Sequence, residues 1–176
     1  MQPFCRVARQ VRPVVLREHL LDAGCKRVAF FGGLEGRPIT QERMSGYLGV
    51  LKERGLDPTV WTGEATRAFG RAMVSRLRNE QPEIDGILCF NDLVALGVMS
   101  ACAEMGPQVG KDLLVVGIDD IEDGRDSFPS LTSVSCNISG LAAETAGRML
   151  DWIKLGTPPE SSTRLPVELV KRASSG

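Results

Sequence analysis

Two adjacent carboxylates, Asp119 and Asp120, follow the apolar run Val115-Val116-Gly117-Ile118. Paired carboxylates in such a place can hold Mg²⁺ or accept hydrogen bonds from sugar hydroxyls, and Asp is also an ordinary turn residue. Asn91-Asp92 follows a second run, Ile87-Leu88-Cys89-Phe90. A short polar side chain there either caps the next helix, by accepting from its orphan amides, or contacts a ligand, and two residues can divide those jobs. Arg43 lies in a helical pattern after a third run, Val28-Ala29-Phe30-Phe31, near enough in sequence to turn its guanidinium toward the same strand ends. Alone it would be a solvated helix charge. Arg43, Asn91 and Asp119 together offer forked donors and acceptors to a small polar ligand, and they are the candidate binding residues.

Other chemistries lack their parts. Gly32-Gly33-Leu34-Glu35-Gly36-Arg37 follows the first run but has neither the GxxxxGK[ST] of a phosphate loop nor the GxGxxG of a dinucleotide turn. With a single histidine, His19, and no Cys/His cluster, neither a zinc site nor a histidine triad can be assembled. No activated nucleophile or general base is evident, so no enzyme, metal or cofactor is expected. The five cysteines form no CxxC pair and fall mostly in apolar segments, which reads as reduced thiols in a cytoplasmic protein. No stretch reaches the ~18 apolar residues of a membrane span, and the start, with Arg6, Arg9, Arg12 and Arg17, lacks the apolar core of a secretory signal. A net charge of −1 removes the positive field of a nucleic-acid-binding module, so any DNA contact is expected outside this chain.

The elements that must position these residues alternate. The three runs, the last extending over Leu113–Gly117, are apolar without alternation, as strands covered on both faces must be. Met44, Tyr47, Leu48 and Leu51 keep helical spacing, with Thr40 as N-cap and Gly55 as stop. Phe69 to Leu77 and Val94 to Met105 predict two more helices, Thr59-Val60-Trp61 a weaker strand, and Leu131 to Ser135 a short extended piece. A long helix over Ile138–Leu155 carries Leu141, Met149, Leu150 and Ile153 on one stripe, and Leu165 to Val170 predicts a terminal edge strand. The 176 residues suffice for one core, and the fold class expected is α/β, a doubly wound parallel sheet with flanking helices.

Five motifs occur in the order found in a known family: Lys26-Arg27-Val28-Ala29-Phe30-Phe31-Gly32-Gly33, Arg43-Met44-Ser45-Gly46-Tyr47, Phe90-Asn91-Asp92-Leu93-Val94-Ala95-Leu96-Gly97, Val115-Val116-Gly117-Ile118-Asp119-Asp120-Ile121 and Pro129-Ser130-Leu131-Thr132-Ser133-Val134. In this the chain resembles the effector-binding domain of LacI/GalR-type bacterial transcription regulators, over about 14–170. The resemblance implies a periplasmic-binding-protein-like lobe, one of two that close on a small ligand, with Arg43, Asn91 and Asp119 as polar contacts to sugar hydroxyls or a purine. It further implies a cytoplasmic repressor that acts on DNA through a helix-turn-helix headpiece absent here.

On the same resemblance, residues 1–13 are a lead-in or truncation remnant and 14–176 the second lobe, whose helix 138–155 belongs to a first lobe not in the chain. A homodimer is implied through the second lobe, with Leu96, Met99 and Phe128 as apolar contacts. There are two departures. Ala65 follows Gly63-Glu64 where the family often has an aromatic that stacks on the ligand, and Cys136 stands where a Gln is usual. A periplasmic sugar-binding protein of the same architecture, or a Mg²⁺-dependent phosphotransfer enzyme using Asp119-Asp120, are the alternatives. The second would need a Lys or Ser/Thr at neighbouring strand ends, which is not identifiable.

Overall fold

The computed structural model describes residues 6–7, 16–156, 162–163 and 167–176, with side chains for 19–156 and 167–176. Most of the 1–13 lead-in and the first residues of the expected Leu165–Val170 strand lie outside the described residues. Beyond a two-residue parallel pairing of β1 (Arg6–Val7) with β7 (Ser162–Thr163), one six-stranded sheet organises the chain. Its strands are β2 (Val28–Phe31), β3 (Thr59–Trp61), β4 (Gly86–Cys89), β5 (Leu114–Ile118), β6 (Thr132–Ser135) and β8 (Glu168–Val170), in the order β3-β2-β4-β5-β6-β8. All neighbours are parallel except β6 and β8, so the terminal strand lies at the edge, as expected, and runs antiparallel to its neighbour.

The continuous apolar runs work as two-sided strands. Ala29, Phe31, Ile87, Cys89 and Val115 face α2 (Arg67–Glu80) and α3 (Asp92–Met105), while Val28, Phe30, Leu88 and Val116 face α1 (Pro38–Arg54) and the π-helical turn Leu16–Leu21. The two helices on the first face touch backbone to backbone: a Cβ on Gly70 would lie 2.1 Å from the Val94 carbonyl, and one on Gly97 would lie 2.0 Å from that of Arg67.

Thr40 is not the N-cap of α1. The helix begins earlier, with Pro38 in its first turn, where a missing N–H costs nothing, and Thr40 is buried one turn inside. The inward face is accordingly Thr40, Arg43, Tyr47, Val50 and Leu51, and Leu48, expected inside, is exposed. Gly55 ends the helix in the left-handed conformation, as its position suggests. Leu96 and Met99, expected as outward contacts, are buried in the core under α3, whereas Phe128 is fully exposed.

A loop with the short helix α4 (Glu122–Arg125) joins β5 to β6. After β6 the chain enters α5 (Ile138–Leu155), on which only Leu141 is buried. No helix among the described residues is long and apolar enough to cross a membrane.

Candidate ligand site at the strand ends

Strand order reverses between β2 and β4: the chain leaves β2 through α1 toward β3 and leaves β4 through α3 toward β5. In open α/β sheets the crevice at such a reversal, outside the carboxyl ends of the strands, is where ligands bind. Arg43 and Asp119 meet there. The Arg43 guanidinium, on the inward face of α1 and only 4% exposed, donates from Nη2 to Asp119 Oδ1 at 2.9 Å. Nη1 donates to the carbonyl of Phe90, the residue after β4, and the guanidinium lies over the Phe90 ring with its carbon 4.6 Å from the centroid. A buried cation is thus held by one carboxylate, one carbonyl and one aromatic face, each a recognised partner for guanidinium.

Asp119 is 23% exposed and directs its carboxylate inward on a rare backbone, with φ of 116°, followed by Asp120 at 54°. Asp tolerates this region better than most residues, and three bonds hold the turn. Asp119 N donates to Val134 O at 2.9 Å, Asp120 N to Ser133 Oγ at 3.0 Å and Ile121 N to Asp92 Oδ2 at 2.8 Å.

The two adjacent carboxylates do not act as a pair. Asp120 accepts from Arg172 at 2.6 Å and from Arg125 at 3.1 Å, which commits it to tying the tail and α4 to the sheet. Among the described residues no group of three His, Cys, Asp or Glu side chains is placed to hold a metal ion.

Asn91 serves as the N-cap of α3. Its Oδ1 accepts from Val94 N at 2.9 Å, and its Nδ2 donates to Ala65 O at 3.3 Å, leaving one amide hydrogen at the strand end. Among the described residues, two buried polar atoms of α1 have no hydrogen-bond partner, Thr40 Oγ1 and Arg43 Nε, three residues apart on one helix face. Thr40, Phe90 and Asp92 belong to this site; sequence reasoning did not assign Thr40 or Phe90 to it, and weighed Asp92 only with Asn91 as a cap or a ligand contact. Thr40 reads as a cap, Phe90 acts through its carbonyl and ring, and the partners of Asp92 are distant in sequence. The burial of Asp92 raises its pKa, the negative charges of Asp119 and Asp120 push the same way, and the bonds from Ser133 and Ile121 oppose both.

A model of the periplasmic binding protein-like domain matches residues 17–175. The chain belongs to this family, in its LacI/GalR branch. It is 30% identical to the ribose operon repressor of Halalkalibacterium halodurans over 158 residues, 90% of this chain and 48% of the relative. It is also 30% identical to the lactose operon repressor of Escherichia coli over 159 residues, 90% of this chain and 44% of that one. The chain therefore spans about half the length of the curated relatives it matches. Among solved structures, a dimeric Lac repressor superposes with a TM-score of 0.86 at 29% identity, over 94% of this chain and 61% of that one. The transcriptional regulator CelR in complex with cellobiose superposes with 0.81 at 27% identity, over 89% and 49%. These relatives are transcriptional regulators, and the periplasmic-binding-protein-like fold expected from the motifs is the one found.

Proposed function

We propose that this chain is the effector-sensing lobe of a cytoplasmic bacterial transcriptional repressor, binding a small polyhydroxylated or purine-like ligand at Arg43, Asn91 and Asp119 to control DNA binding through a headpiece outside the chain. The observation that carries it is the pair of the buried Arg43 guanidinium with the part-buried Asp119 carboxylate at the reversal of strand order. Hydroxyl groups of a sugar can both accept from the guanidinium edge and donate to the carboxylate, which suits this pair better than an anion or an apolar ligand.

A cleft walled by one lobe cannot enclose a ligand as two closing lobes do, so α5 is read as crossing to a first lobe beyond this chain. Dimerisation is assigned to the face around the exposed Phe128, next to a groove of about 460 Å³ lined by Arg67, Ser100, Ala103 and the outer edges of Leu96 and Met99.

The test is a titration of the isotope-labelled chain with D-ribose, lactose, cellobiose and hypoxanthine. One-sided contact should give a Kd of ~1 mM or weaker, equivalent to about 4 kcal/mol, with shifts confined to residues around Arg43, Asn91 and Asp119 and absent in Arg43→Met. Binding that survives Arg43→Met, or shifts clustered away from the strand ends, refutes this placement.

A further inference from the structure

Asp92 is buried at the first position of α3, directly after the cap Asn91, and its carboxylate turns away from its own helix into the β5–α4 connection. Each oxygen has a partner. Oδ2 accepts from Ile121 N at 2.8 Å, and Oδ1 accepts from Ser133 Oγ at 2.6 Å. Ser133 Oγ in turn accepts from Asp120 N at 3.0 Å. One carboxylate therefore holds two consecutive amides, the second through a hydroxyl relay, and these two amides immediately follow the strained Asp119. The sheet leaves room for it: a Cβ on Gly117 would lie 2.0 Å from Asp92 Oδ1, so β5 must carry glycine where it passes this carboxylate.

The positive φ angles of Asp119 and Asp120 are costly and persist only where surrounding bonds over-determine them. Three amide bonds hold this turn; one ends on Asp92 directly and a second reaches it through the Ser133 hydroxyl. We propose that Asp92 is a positioning residue for the ligand site: its carboxylate fixes the backbone of Asp120 and Ile121 and thereby keeps the Asp119 carboxylate on the Arg43 guanidinium. This rests on the reading of Arg43 and Asp119 as ligand contacts, but its test needs no ligand. Because Asp92 is buried beside two other carboxylates, it retains its proton to higher pH than an ordinary Asp, and protonation weakens it as an acceptor. The charged groups facing this cluster are Asp119 with Arg43, and Asp120 with Arg125 and Arg172.

The experiment is a pH titration of the labelled chain by NMR, following the Asp92 side-chain carboxyl carbon, the Ile121 and Asp120 amides, and the Nε–H of Arg43. The expected result is that the Arg43 signal inflects at the Asp92 midpoint. Asp92→Asn should abolish that inflection. Should that variant fail to fold, Ser133→Ala keeps the carboxylate and cuts the relay; there the Asp120 amide should exchange roughly tenfold faster, the Arg43 signal should move, and the Ile121 amide should stay protected. An Arg43 signal in the wild-type chain that does not respond at the Asp92 midpoint overturns the proposal, whatever the variants do. The ligand reading fails separately, if Arg43→Met binds sugars as the parent does.

Discussion

Arg43 is a full charge taken out of water, and what keeps it affordable is the Asp119 carboxylate 2.9 Å away. Removing one member of a buried pair leaves the other uncompensated, which costs more than the pair itself contributes. Asp119→Asn keeps a side chain that tolerates positive φ but removes the charge, and because Asp119 is partly wet the loss should be about 2–3 kcal/mol, at or below the low end for fully buried pairs. Arg43→Met in addition should recover part of that loss, a coupling of about 1.5 kcal/mol or more in a urea-unfolding double-mutant cycle. Additivity within ~0.5 kcal/mol would mean that the contact is incidental. At this scale the sequence was informative where chemistry follows an apolar run, which is why Arg43, Asn91 and Asp119 stand out. It could not show what occupies Asp120, which it read as one of a carboxylate pair, because the partner that commits Asp120 to structure is Arg172, 52 residues later. Nor could it show Phe90, whose contribution is a backbone carbonyl and a ring face that any aromatic in a core run could present.

Elements were legible in type and order, and less so in phase. All six strands of the sheet coincide with apolar or extended segments of the sequence, since strands covered on both faces cannot alternate. The inward face of α1 was misjudged because Thr40 resembles a cap and Leu48 a core residue; Pro38 moves the start of the helix forward, and the buried face then centres on Arg43, Tyr47 and Val50. The π-helical turn Leu16–Leu21 left no readable pattern, yet it carries His19, whose Nε2 lies 2.7 Å from Ser175 Oγ in the C-terminal tail. That tail is built into the sheet: Ser174 Oγ donates to Val115 O and accepts from Thr132 N, bridging the starts of β5 and β6. Burial lowers the His19 pKa below 6.5, and Lys171 pushes the same way, against the opposing effect of the Ser175 bond. The folded state therefore binds fewer protons there than the unfolded chain, so the contribution is complete above pH 6.5 and is lost as pH falls from 6.5 through the folded pKa. His19→Gln, which keeps a hydrogen-bonding side chain without a titration, should flatten the decline of Tm between about pH 7.5 and 5 relative to the parent. Parallel profiles for the two proteins would remove His19 from the acid response.

At the scale of the molecule the outstanding feature is α5. Its stripe of Leu141, Met149, Leu150 and Ile153 is what a helix needs to pack on a neighbour, but only Leu141 is buried, and Ile153 and Leu155 are 78% and 74% exposed. Each large apolar side chain left in water forgoes burial of roughly 1.5–3 kcal/mol, so we propose that the stripe packs in an interface larger than this chain. On the function proposed above, that partner is the first lobe. For the chain alone, a second copy can cover it, since two like stripes pack on each other about a two-fold axis without new sequence. On the dimer face proposed above, the surface around Phe128 would be a second one, and a protomer with two such faces does not stop at a dimer unless the axes close. Sedimentation of the isolated chain should therefore show species beyond the dimer that grow with concentration. Leu150→Asp should return the profile to a simple dimer, with circular dichroism unchanged and unfolding free energy within ~0.5 kcal/mol of the parent, because the side chain it replaces is half exposed within its own protomer. Phe128→Ser should remove the other contact and leave the α5 pairing intact. If Leu150→Asp sediments as the parent does at every concentration, α5 is not an association surface of this chain.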